Sequence, residues 1–197
     1  MVLDVTIHDR SGLLLGGSPQ PTDADINRAE LVGIGAARDW LKRTRLDVTK
    51  FAFWRRLHRE MFGEVWKWAG EWRQDETNLG VAPHQIQPEL HKLEGDLEFW
   101  LGDKCDMPRL EVLSRFHHRT VWIHPFNNGN GRWSRLATDA LALRRYKLDF
   151  LTWAKGADVP RDPDAPERKT YIAAVQAGDS GNFDPLMTYI SERNREL

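Results

Sequence analysis

The sequence predicts a single all-α domain, a helical bundle with a small β-hairpin flap, on three observations. Apolar residues return at helical spacing through most of the 197 residues, the pattern of amphipathic helices. Gly and Pro fall at the edges of these periodic segments, where they start and stop helices. Residues 74–86 (QDETNLGVAPHQI) hold turn formers and little periodicity, so they read as a loop or small hairpin.

The elements follow in order. Residues 1–23 mix short apolar runs with GG, SP and QP, and read as an extended arm ending in a turn. From Ala24 to Arg45, Ile26, Ala29, Gly33, Ala37, Trp40 and Leu41 mark a first helix. A second runs from about Thr49 to Phe62, behind the cap candidates Asp47 and Thr49, and Gly63 breaks it. Pro88 and Pro108 each open a further helix, since proline suits a first helical turn. After the loop HPFNNGNGR, Trp133, Leu136, Ala137, Ala140 and Leu141 form another stripe, which groups Arg132, Arg135 and Asp139 on the opposite face. Residues 155–167 are a Pro/Asp-rich loop, and two closing helices are expected near 167–177 and 183–195.

Composition narrows the function classes. Hydrophobic residues make up 41% and charged residues 29%, as in ordinary soluble domains. A formal net charge of −1 gives no global attraction to nucleic acid or an anionic membrane. The single cysteine, Cys105, cannot form an internal disulfide, and no Cys/His spacing suggests zinc. No apolar stretch approaches the ~18 residues of a membrane span. The first residues carry an acid and no long apolar core, so the chain reads as lacking a signal peptide and as cytoplasmic. Charge is uneven locally: residues 115–147 hold six Arg and one Lys against Asp139 alone.

That basic segment contains the candidate chemistry. A helix start exposes unpaired N–H groups and the positive end of the dipole, so it favours anions. Gly129 and Gly131 remove Cβ atoms that would block a phosphate. Arg132 and Arg135 offer forked donors to phosphate oxygens, and His124, across the loop, is a suitable general base. Each feature alone reads as ordinary structure. Their combination in a few consecutive residues points to transfer of a phosphate-containing group from a nucleotide to a hydroxyl.

HPFNNGNGRWSR resembles the signature of the Fic family, in which HPF, one free position and an acid precede GNGR and a second arginine. WKWAGEWR at 66–73 and the approach FHHRTVWIHPF resemble the same family, and the likeness spans roughly residues 30–195. It looks closest to the subgroup called mobile mystery protein B. The resemblance implies a Fic domain over residues 24–197, with a core of about 49–177 and a closing helix at 183–195. It implies protein AMPylation, the transfer of AMP from ATP to a Ser, Thr or Tyr hydroxyl of a protein substrate. Carried over, His124 is the base, Phe126 an anchor beneath the loop, and Gly129, Asn130 and Gly131 the phosphate cradle. The side chain of Asn130 is offered to the phosphates, and Arg132 and Arg135 hold the β- and γ-phosphates. Residues 75–82, with Thr77, Asn78, Leu79 and Gly80 at their centre, form a flap that aligns the target by strand addition.

The motif acid that holds Mg²⁺ in the family is Asn128 here. An amide oxygen can ligate Mg²⁺ but brings no charge, and Mg²⁺ sites usually include a carboxylate. The family also implies an inhibitory glutamate that pairs with the second arginine. Thr188-Tyr-Ile-Ser-Glu192 fits the first part of that motif, making Glu192 the candidate. Glu30, in RAELVG, lacks the Ser/Thr four residues earlier and reads as a surface glutamate. The alternatives are a Fic fold that binds nucleotide or protein without transfer, and the toxin-like partner of a helix-turn-helix protein.

Overall fold

The computed structural model of the protein describes residues 10–17, 20–154, 162, 164–194 and 197. Residues 1–9 and 18–19 of the expected arm, and most of the expected loop at 155–167, lie outside the described residues. The helices are α1 (Asp23–Arg43), α2 (Phe51–Phe62), α3 (Ile86–Trp100), α4 (Arg109–Ile123), α5 (Asn130–Tyr146), α6 (Pro166–Ala177) and α7 (Asp184–Ser191). Helix α1 packs on α2, α4 pairs with α5, and α7 closes against both α4 and α6.

Helix α1 starts at a complete capping box, with Thr22 and Asp25 bonding each other's backbone N–H, so two orphan donors are satisfied at once. It crosses α2 closely because residue 33 is glycine: a Cβ there would lie 2.3 Å from the Met61 carbonyl oxygen. Helix α2 begins two residues later than expected. Asp47 Oδ1 accepts from the Thr49 N–H and hydroxyl, and Glu94 of α3 accepts the Phe51 N–H. That first donor is therefore satisfied from a neighbouring helix, out of reach of a local reading.

Helix α5 is the central helix. From Asn130 to Ala142 every residue except Gly131 and Arg132 is buried, so the expected polar face does not look onto solvent. Asp139 turns inward, where its Oδ1 accepts from Trp153 Nε1 at 2.9 Å and the Leu151 N–H at 3.3 Å. Burial first raises its pKa to about 7, against the pull of the Trp153 bond, Arg38, the Leu151 bond and Arg135. Indole N–H groups tie other parts of the core: Trp133 donates to the Trp54 carbonyl, and Trp54 to that of Val48.

The expected β-hairpin is absent among the described residues. Residues 74–82 run as bends and irregular chain, and the only β pairing among the described residues is an isolated bridge between Leu13 and Trp66. Arg73 accounts for this: its guanidinium donates to the carbonyls of Asp75, Val81 and His124. Two of those acceptors lie in the flap itself and are drawn to one cation rather than to a ladder partner. The bridge instead holds residues 11–14 of the arm across Val65–Trp68, with Leu14 N–H to Val65 O and Lys67 N–H to Gly12 O, both 2.8 Å.

Candidate active site

Helix α4 ends on His124, whose backbone is left-handed at φ 52°, ψ 59°. A non-glycine residue there is held at a cost of about 1–3 kcal/mol. Lys147 shares that conformation at the end of α5, but it is exposed. His124 is clamped. Arg73 Nε donates to its carbonyl at 2.8 Å, and the Arg73 N–H donates to Pro125 O at 3.0 Å. Gly80 presses on it from the flap side, where φ is +95° and a Cβ would sit 2.5 Å from His124 Cβ. Only glycine fits both that angle and that contact. His124 Nδ1 approaches the Val121 carbonyl at 3.4 Å, which leaves Nε2 as the basic nitrogen. Its pKa is pushed down to about 4 by burial first, opposed by the Val121 bond and helped by Arg73. The ring is therefore neutral near pH 7.

The loop from Pro125 to Gly129 is folded by its own residues. Asn130 Oδ1 accepts from the Phe126 N–H at 2.9 Å and its Nδ2 donates to Phe126 O at 2.7 Å. The side chain expected at the phosphates thus clasps the loop, much as a strand partner would. Phe126 lies fully buried beneath, stacked on His58 with ring centroids 3.7 Å apart. Asn128 turns its Oδ1 onto the Gly129 N–H at 2.5 Å.

His58 is a positioning residue that sequence reasoning passed over. The Gly70 N–H donates to its Nδ1 at 2.9 Å, so Nε2 carries the proton and donates to Asn128 O at 3.0 Å. One neutral imidazole therefore joins the WAG segment to the loop. Burial is the main cause holding its pKa down at about 3; the Asn128 bond and Glu30 oppose it, and Arg132 adds to it. The available signal was WAG itself, whose glycine needs a partner for its N–H.

Helix α5 then begins. Gly129 is its N-cap at φ 77°, ψ 2°, and no side chain caps it. A Cβ at residue 129 would lie 2.7 Å from the Phe62 ring. No side chain closes the first turn, and an open helix start of this kind attracts anions. The two arginines diverge. Arg132 stacks on Phe62 at 4.8 Å and donates to Glu30 Oε2 at 2.7 Å. Arg135 lies buried, its guanidinium 5.6 Å from the Tyr171 ring of α6.

Glu30 is 1% exposed, not a surface residue, and its other oxygen accepts from Trp66 Nε1 at 2.9 Å. Glu192 stands at the end of α7, 68% exposed, near Arg193. The carboxylate brought to a motif arginine is therefore Glu30, across 102 positions of sequence. Thr77 and Asn78 are exposed and Leu79 half-buried. Among the described residues no group of three His, Cys, Asp or Glu could hold a metal. With Asn128 turned to the backbone, this donor set does not fit Mg²⁺.

The chain resembles several known proteins. A family model described as the Fic/DOC family matches residues 49–142. A probable protein adenylyltransferase, y4lH, from Sinorhizobium fredii is 30% identical over 166 residues, 78% of this chain and 76% of that protein. The protein adenylyltransferase Fic of Aedes aegypti is 25% identical over 83% of this chain, which spans 32% of that longer protein. Among solved structures, Fic-1 from C. elegans matches with a TM-score of 0.66 at 22% identity, over 89% of this chain and 52% of that one. BepC from Bartonella tribocorum, with bound AMPPNP, matches at 0.65 and 16% identity, over 95% and 98%. Such identities speak for the fold. No helix among the described residues is long and apolar enough to cross a membrane. By its relatives and its fold, this chain belongs to the Fic/DOC family.

Proposed function

We propose that the protein transfers AMP from ATP to a Ser, Thr or Tyr hydroxyl of a protein substrate. One observation carries the reading: a neutral histidine is clamped in a strained backbone at the mouth of an uncapped helix start. In the step proposed, His124 Nε2 takes the hydroxyl proton as the oxygen attacks the α-phosphorus. The bond to the bridging oxygen breaks and pyrophosphate leaves. The Gly131 and Arg132 N–H groups and the Arg135 guanidinium stabilise charge on the phosphates, the kind of preorganised electrostatics that dominates phosphoryl-type transfer. No step is assigned to a metal, because Asn128 supplies no carboxylate. The relatives' names support this reading, since those quoted are protein adenylyltransferases.

Arg132 is already held by Glu30. We read this contact as a restraint on the enzyme, in which the carboxylate keeps the first motif arginine from the nucleotide. Glu30→Gln keeps an acceptor for Trp66 and removes the competing charge. The test incubates wild type, Glu30→Gln and His124→Ala with a bacterial protein mixture and ATP labelled at the α- or the γ-phosphate. Protein-bound α-label, greater with Glu30→Gln and lost with His124→Ala, is the expected result. Protein-bound γ-label would replace AMP transfer with phosphate transfer. No label from either position with any variant would remove the enzymatic reading.

A further inference from the structure

Helix α1 carries two glycines, and the fold of one chain accounts for only one of them. At Gly33 a Cβ would meet the Met61 carbonyl oxygen of α2, whereas at Gly35 it would meet nothing within 4 Å. Two residues along a helix turn it by about 200°, so Gly35 lies on the side away from α2. Glycine inside a helix destabilises it relative to alanine, and what it permits is the close approach of another backbone. The same side is apolar where it meets solvent. Leu31 is 57% and Val32 70% exposed, and Ala36 beside them is exposed as well. Neighbouring exposed apolar side chains rimmed by charge mark a contact surface, as a single exposed leucine does not.

The exposed positions 25, 28, 32, 35, 39 and 42 step by three and four, so they form one stripe along the helix. Asp25 and Arg28 precede its apolar centre, and Asp39 and Lys42 follow it. This stripe is its own complement. When a second α1 lies antiparallel, with a two-fold axis between positions 33 and 34, Val32 faces Gly35 of the copy and Leu31 faces Ala36. Arg28 then faces Asp39, Asp25 faces Lys42, and the symmetry repeats each pair at the other end. Large residues meet small ones in the middle, and opposite charges meet at both ends. A parallel arrangement would instead set Arg28 on Arg28 and Asp39 on Asp39. Within one chain these charges pair along the helix, Arg28 to Asp25 at 3.5 Å and Lys42 to Asp39 at 3.1 Å. Exposed pairs of this kind contribute little and can be shared across an interface.

We propose that this face of α1 is a homodimer interface, and that its occupant is the α1 of a second copy of the chain, held antiparallel. The helix has 21 residues, about 32 Å of length. One helix pair buries less than the roughly 1,200–2,000 Å² of a standard interface, so the dimer exchanges with monomer. Neither the nucleotide nor the transfer reaction enters into it. Sedimentation of the wild type from about 1 to about 100 µM should show the mass rising from one chain to two, as for weak interfaces. Arg28→Asp places like charges at both ends and should weaken the dimer by about tenfold or more, as should Asp39→Arg. The double variant Arg28→Asp/Asp39→Arg restores opposite charges and should dimerise as the wild type does. Val32→Glu should abolish the dimer and leave thermal melting of the monomer unchanged, because that side chain is exposed. A wild type that stays monomeric throughout would overturn the proposal. A dimer that survives Val32→Glu, or that the double charge exchange fails to restore, would also contradict it.

Discussion

Helix α1 begins at the exposed surface and α5 at a buried asparagine, and their starts are built in opposite ways. At α1, Thr22 and Asp25 bond reciprocally and acids occupy the first turn. The orphan donors are closed by the chain's own residues, and the helix dipole is met by Asp23 and Asp25. At α5 the N-cap is a left-handed glycine, no side chain caps it, and the first turn holds no acid. One start spends its donors on stability, and the other, on the function proposed, leaves them to a phosphate. The surroundings compensate for what α5 leaves open: Asn130 clasps Phe126, His58 holds Asn128, and Arg73 holds His124.

The largest expected effect lies at the mouth of the open start. His124→Ala should lower transfer by about 10²–10⁴, the usual contribution of a general base, with ATP affinity unchanged by calorimetry. Because burial holds the histidine's pKa at about 4, the acid limb of the pH–rate profile should fall near 4 and not near 6.5. A limb at 6.5 would mean that the ring is open to water in the working enzyme.

Acid should separate the two starts next. His58 and His117 have pKa values of about 3, and His124 about 4, all depressed chiefly by burial. The folded state therefore refuses protons that the unfolded chain takes up below about 6.5. Stability contributed by these groups is present above that value and is lost as pH falls towards 4. The slope is about 1.4 kcal/mol per pH unit for each group. Asp139 works the other way: with its folded pKa at about 7, its stabilising share grows as pH falls from 7 to 4. Asp139→Asn should therefore steepen the acid loss by about one proton. Asp25, lowered by its Thr22 bonds, stays ionised throughout this window, so Thr22→Ala should shift the curve without changing its slope. Urea melts at pH 7, 6, 5 and 4 decide the matter, and an unchanged slope in Asp139→Asn would place that carboxylate in contact with water.

Smaller changes test the caps themselves. Gly129→Ala meets both a positive φ and the Phe62 ring, and should cost about 1–3 kcal/mol of stability. Thr22→Ala removes an ordinary cap and should cost about 1 kcal/mol, with ATP affinity unaffected. Chemical melts read both, and a larger loss from Thr22→Ala would reverse the ranking.

What the sequence disclosed follows the same division. Helices with a strong apolar stripe, and the loop with its glycines and arginines, were legible because their signals are local. Glu30 was not, because nothing near RAELVG shows that α1 brings it to Arg132 and Trp66. Asn130 was expected at the phosphates from the family resemblance, and an amide beside two glycines offers no hint that the loop will curl back to it. The flap was read as a hairpin from its turn residues, although Arg73, two residues before it, collects the carbonyls a ladder would need. Asp139 looked exposed by spacing alone; only the burial of α5 on nearly every side makes it a core residue. Glu30 depends on a partner 102 positions away, whereas Asn130 and Arg73 act on backbone a few residues off, in conformations that no local pattern announces.

The measurement that bears most directly on the central claim is ATP titration into Gly131→Ala in the Glu30→Gln background, with thermal melting in parallel. A Cβ at residue 131 meets only Arg135 Nη1, at an ordinary 3.5 Å, so the protein has room for it. Replacing a helical glycine by alanine reduces the entropy lost on folding and should stabilise by up to about 1 kcal/mol. In a helix, however, the Cα–Cβ bond tilts towards the N-terminus, so the new methyl stands where the phosphate would dock. The account predicts a melting temperature equal to or above that of the parent, and ATP affinity weakened by about tenfold or more, equivalent to about 1.4 kcal/mol. An alanine variant that binds ATP as tightly as its parent would show that the start of α5 is not a phosphate site.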